Sequence, residues 1–165
     1  MFAGSQTQLF AEYNRWMNSN VYTAAAGLSD EQRKEDRGAF FRSVHGTLDH
    51  ILWGDRAWMA RFKGERITLP AVGTLLYEDF DELRVARTEK DREIIEWATG
   101  VTAEWLAGPF TWMGKQSVTR PAFALVAHMF NHQTHHRGQV TTLLSQFGVD
   151  PGVTDLHRLP ALNED

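Results

Sequence analysis

A chain of 165 residues with 42% hydrophobic and 23% charged residues can bury one sizeable core, so a single domain over residues 1–165 is expected. Its net charge of −4 gives no electrostatic footprint for nucleic acid, and no apolar run approaches the ~20 residues of a membrane-spanning helix. The lack of cysteine excludes disulfides, cysteine-ligated zinc and a cysteine nucleophile, and Met1–Ser5 has no basic region leading into an apolar run, so the expected location is the cytoplasm.

Ser5 reads as the N-cap of a first helix ending at Ala26–Gly27, with Leu9, Tyr13, Trp16 and Met17 on its buried face. Asn14, Asn18 and Asn20 are poor helix formers and weaken its second half. Ser29 or Asp30 caps a short charged segment through Arg37. The spacing of Phe40, Val44, Leu48, Ile51, Trp58 and Phe62 predicts a second helix over 38–62. His50 lies in a row with Gly46, Thr47, Gly54 and Ala57, small residues that leave room for another helix or a ligand, whereas His45 points roughly 140° away. Gly64, Pro70 and Gly73 mark a loop. A third helix follows over 77–101, with Leu83, Ile94, Ile95, Ala98 and Val101 facing inward and its interleaved charges facing solvent. The pattern breaks at 108–121, where residues 110–119 suit a short hairpin or irregular loop. Pro121 then opens a fourth helix that runs to Phe147 and stops at Gly148. The tail from Val149 reads as loop or a short terminal turn. Four long amphipathic segments predict an all-α four-helix bundle.

The chemistry concentrates in the fourth helix. Four of the seven histidines lie within 128–136, and Leu125, Met129, Val140, Leu143 and Phe147 define the apolar face around them. His132 and His136 fall near the middle of that face at i,i+4 spacing, so both can reach one ion. His128 lies about 12 Å from His136 along the axis, too far for a shared ion, and His128 and His135 are neighbours instead. Two buried imidazoles are also compatible with an ordinary hydrogen-bonded core. A third ligand must come from elsewhere, and if the second helix supplies it, that residue is His50.

The stretches Tyr13-Asn14-Arg15-Trp16-Met17-Asn18, Leu48-Asp49-His50-Ile51-Leu52-Trp53-Gly54-Asp55-Arg56 and Asn131-His132-Gln133-Thr134-His135-His136-Arg137-Gly138-Gln139 resemble the DinB family over nearly the whole chain. The resemblance implies an up-down-down-up bundle, a frequent homodimer, and a metal triad of one histidine from the second helix and two from the fourth, which correspond to His50, His132 and His136. Three neutral imidazoles suit a divalent transition metal, zinc or nickel first and iron, cobalt or copper nearly as well, and leave a coordination position for water or substrate. The same fold occurs in thiol-dependent transferases and isomerases.

The expected partner is therefore a small-molecule substrate, with a low-molecular-weight thiol as cosubstrate because the chain has none of its own. Three functional readings follow: a metal-dependent S-transferase, a metal-dependent hydrolase, or a non-enzymatic metal-binding stress-response protein. The sequence names no general acid or base. Asp55, on the apolar side of the second helix, is expected either to orient a metal-binding histidine or to pair with an arginine such as Arg137. Gln139 is placed to hydrogen-bond a water on the metal, and Gly138 to let a neighbouring helix approach. Trp53, Trp58, Phe110 and Trp112 are candidates for pocket wall or, more simply, for core packing.

Overall fold

Helix boundaries follow the caps. In the computed structural model, which describes residues 4–114 and 116–163, helix α1 spans Gln6–Ala26, and Ser5 and Gln8 close a reciprocal capping box at its start. Ser29 and Gln32 build the same device at α2, Asp30–Lys34, which stops three residues before the expected Arg37 because Glu35 turns extended. Helix α3 spans Val44–Lys63, so the start expected at Gly38 is corrected by six residues. Ser43 is the true N-cap, accepting from Gly46 N at 3.0 Å, while Gly38 (φ 77°) and Arg42 (φ 68°) bend the preceding loop. Phe40 falls in that loop and is 80% exposed, although its spacing fits the helical stripe.

The loop after α3 is held by Asp49, which accepts from Leu76 N and Tyr77 N, and by the Trp53 indole donating to Pro70 O at 3.0 Å. Helix α4 spans Phe80–Gly100, capped by Asp79 rather than starting at Tyr77, and Thr102 caps the short α5, Ala103–Ala107, which periodicity did not reveal. Strands β1 (Pro109–Met113) and β2 (Ser117–Pro121) form the antiparallel hairpin, with Thr111 opposite Thr119 and their hydroxyls 2.8 Å apart. Helix α6 spans Ala122–Gln146, and two 3-10 turns, Leu156–Arg158 and Pro160–Leu162, end the described chain.

The long helices α1, α3, α4 and α6 pack around one axis, with α3 between α6 and α4, and α1 closing the ring. Their directions follow from residue pairs. Asp55–Arg87 and Lys63–Glu93 run α3 and α4 the same way, and Phe10–Phe130 and Asn14–Arg137 do so for α1 and α6. Trp58–His128 and His50–His136 set α3 against α6. Two apolar clusters fill the interior, one around Leu48, Leu52 and Leu83, the other around Met59, Ile94 and Met129. Among the described residues no helix is long and apolar enough to cross a membrane.

A polar layer separates the two clusters and draws on all four long helices. Asp55 accepts from Arg87 at 2.5 Å and from the Gln133 amide at 2.7 Å. Arg87 also pairs with Asp91 at 2.9 Å, and Asp91 accepts from Asn14 and Asn18, whose amide oxygens in turn meet Arg137. Arg87 and Asp91 are buried, which corrects the expectation that the charges of this helix all face solvent.

Candidate metal centre

The α3–α6 crossing brings together the side chains of His50, His132 and His136. Each offers one ring nitrogen within 4.8 Å of the others, and the Nε2 atoms of His50 and His132 are 3.1 Å apart. Three donors ~2.1 Å from one ion stand roughly 3.4 Å apart, so this pair is already near that separation. The i,i+4 spacing explains the geometry, since His132 and His136 stand one turn apart on one face of α6 and both meet His50 at the crossing. Gly54 makes the crossing close enough. A Cβ there would lie 2.7 Å from Cε1 of His132, so the imidazole rests against the α3 backbone where a side chain would otherwise be.

The surroundings keep the rings neutral. Burial, with the neighbouring His136 and His132 adding to it, pushes His50 down to about 3. Burial and His136 likewise push His132 down to about 4, against an opposing effect of Asp55. His136 is also lowered, chiefly by burial. A neutral imidazole presents a lone pair, the form a metal ion takes. Nδ1 of His136 is engaged with Oε1 of Gln139 at 2.8 Å, which leaves Nε2 toward the cluster. The buried Nδ1 atoms of His50 and His132 have no partner among the described residues. Donor set, neutrality and convergence therefore fit a divalent transition metal, with one of three rings oriented by a hydrogen bond.

Other candidate residues fall outside this group. His128 is exposed and packs edge-on against Trp58 at 5.1 Å, and His135 is exposed with its ring 4.8 Å from that of His136. His45 is fully buried and tied to Tyr77 O at 2.7 Å. Asp55 touches no histidine through a hydrogen bond. Arg87 and Gln133 occupy it, so both expected partners, a histidine and Arg137, are corrected. Gln139 accepts from Nδ1 of His136, a supporting contact to a candidate ligand. A Cβ at Gly138 would meet nothing within 4 Å, so close approach belongs to Gly54 instead. Trp58, Trp112 and Phe110 pack with one another's neighbours, whereas Trp53 lines a cavity beside His50. Phe41 stacks on His50, and sequence reasoning missed it because a loop residue carries no helical phase.

The folded values for His50 and His132 lie below the ~6.5 of an unfolded histidine, so the unfolded chain takes up protons first. The stability tied to the neutral cluster is full above that value and is lost as pH falls toward about 4 and then about 3. The metal-free protein should therefore melt at lower temperature as pH drops through this window. The fall should be shallower in a His50→Gln, His132→Gln double variant, and identical slopes would rule the cluster out as the cause.

A profile of the DinB family matches residues 1–165 of the chain. Protein DinB of Bacillus subtilis (strain 168) is 24% identical over 154 residues, covering 87% of each chain. With a family match across its whole length and a three-histidine cluster that could hold a metal ion, the chain belongs to the DinB family.

Proposed function

We propose that His50, His132 and His136 hold one divalent transition metal, zinc or nickel before iron, cobalt or copper, and that the protein is a metal-dependent enzyme of the S-transferase type. The observation that carries this reading is a set of three neutral imidazole donors with no fourth histidine or carboxylate joining the group among the described residues. Three protein donors are the pattern of a catalytic metal site, which keeps a position for a substrate. When bound, the metal supplies a Lewis acid that favours the thiolate of a small thiol over the thiol. Gln139 fixes the ring orientation of His136, and Phe41 keeps water from the face of His50. With no cysteine in the chain, the thiol arrives as cosubstrate; it would lose its proton to solvent, and its sulfur would bond to the electrophilic carbon of a small substrate as the bond to that substrate's leaving group breaks. His128 and His135 remain at the margin of this assembly, and Asp55 is taken up by Arg87 and Gln133.

The test is cobalt substitution. Cobalt protein titrated with a small thiol should gain a sulfur-to-cobalt charge-transfer band. A response to small anions but to no thiol would favour the hydrolase. No response to either would leave a closed site and the non-enzymatic metal-binding role in stress response.

We also propose a homodimer, following the habit of similar family members. Light scattering across a wide concentration range should give twice the 18.8 kDa of one chain, and monomer mass throughout would remove the proposal.

A further inference from the structure

A cavity of about 600 Å³ opens between the α2–α3 loop and residues 72–75, with His50 and Trp53 in its wall. Phe40, Phe41, Val72 and Leu75 form an apolar part of the lining, beside the polar Ser43, Thr74 and Asp49, whose carboxylate accepts from Leu76 N and Tyr77 N. Charges at the rim are already engaged, Lys34 with Asp30 at 2.8 Å and Arg42 with Asp36 at 3.7 Å. A space of this size, walled in part by aromatic and aliphatic groups, suits a small organic molecule. His50 is part of that wall, but His132 and His136 are not.

Phe41 belongs to both places. Its ring lines the cavity, stacks on His50 with centroids 3.6 Å apart and planes 17° from parallel, and stands edge-on to His136 at 5.4 Å. One phenyl ring thus lies between an apolar cavity and the face of the histidine cluster. The local backbone is built to hold it there. Arg42 takes the left-handed conformation at φ 68°, unusual for a residue with a side chain. Ala39 and Arg42 close the turn as an isolated bridge, and Ser43 N donates to Phe41 O at 2.8 Å. At Gly46 a Cβ would run into that same carbonyl oxygen, so the first turn of α3 is trimmed to accept the loop. Outside, Phe40 meets Phe41 edge-on at 4.8 Å and turns its own ring to solvent at the cavity mouth.

We propose that Phe41 is the specificity-determining residue of this site. The cavity takes an uncharged, ring-bearing apolar small molecule, and the Phe41 side chain sets how far that molecule reaches toward His50, His132 and His136. The inference rests on the metal reading above and adds the substrate class to it.

Two ligands that share a donor atom and differ by one phenyl group separate the effects. Cobalt-loaded full-length protein is titrated with imidazole and with 4-phenylimidazole, following the visible spectrum. Phe41→Ala should raise affinity for 4-phenylimidazole ~10-fold and for imidazole less than ~3-fold, the scale on which an apolar pocket discriminates. Phe41→Trp should move the 4-phenylimidazole affinity the other way. If Phe41→Ala does not fold, as judged by circular dichroism, Phe41→Leu decides with the same sign and a smaller ratio. Wild-type protein that takes up no cobalt ends the metal reading and this one together. One cobalt per chain, with the two affinities moving in parallel in the Phe41 variants, ends the Phe41 inference and leaves the metal reading standing.

Discussion

Replacing His132 with alanine is expected to abolish stoichiometric binding of a divalent transition metal, with affinity falling on the order of 10³-fold. Of the three candidate ligands, His132 is the one packed against a glycine of the facing helix. It lies against the α3 backbone at Gly54, and its Nε2 is 3.1 Å from that of His50. Removing it leaves two donors and an enlarged gap at the crossing. Gln139→Ala should cost less, about 10- to 100-fold, because it frees the orientation of His136 without removing a lone pair. His128→Ala and His157→Ala should leave occupancy unchanged, both being exposed and outside the cluster. His45→Ala should keep the metal but lower stability, since it removes the contact to Tyr77 O. Elemental analysis of untagged protein reads all five, and full occupancy in His132→Ala would sink the assignment. Affinity should also hold to more acidic pH than ordinary imidazoles allow, because His50 and His132 sit at about 3 and about 4.

These outcomes turn on residues that differ in how openly the sequence displays them. His132 and His136 lie four apart on an apolar stripe, so helical phase alone puts them on one face, and the small residues beside His50 mark where α6 comes in. Caps at Ser5 and Ser29 show because each has a glutamine three residues on. Ser43 has no such partner, and Phe40 happens to keep helical phase, which moves the apparent start of α3 back to Gly38. Phe41 is illegible for a related reason, since its position depends on the left-handed turn at Arg42 and on the missing side chain at Gly46. Arg87 and Asp91 look like a solvent-facing i,i+4 pair. What buries them lies on other helices, at Asp55, Asn14 and Asn18. The same three-dimensional fact reverses the reading of the two asparagines. They are poor helix formers kept inside α1 because they complete the hydrogen bonding of a charge.

That buried layer predicts the second large effect. Asp55 is fully buried and Arg87 is 2% exposed. Burial alone would lower the basicity of Arg87, but the carboxylates of Asp91 and Asp55 outweigh it and hold the guanidinium charged. Asp55→Ala removes one of these and also strands the Gln133 amide. Breaking one partner of such a pair costs about 3–5 kcal/mol, since the other charge stays buried without compensation. For a chain of this length that corresponds to a fall in Tm of roughly 10–15 °C. Exchanging both partners for apolar residues of similar volume, as in Asp55→Leu with Arg87→Met, should recover part of the loss, because desolvation of the ions disappears with them. The recovery should be incomplete, because Asp91, which then lacks its guanidinium, keeps only the amides of Asn14 and Asn18. Thermal melts of the single and double variants decide it. A double variant less stable than Asp55→Ala alone would mean that the layer stabilises the bundle beyond what apolar packing can replace. Asp55→Ala melting like wild type would show that Arg87 is compensated by Asp91 alone. Metal occupancy measured on the same samples should survive in the double variant, since no member of the layer is among the three converging histidines.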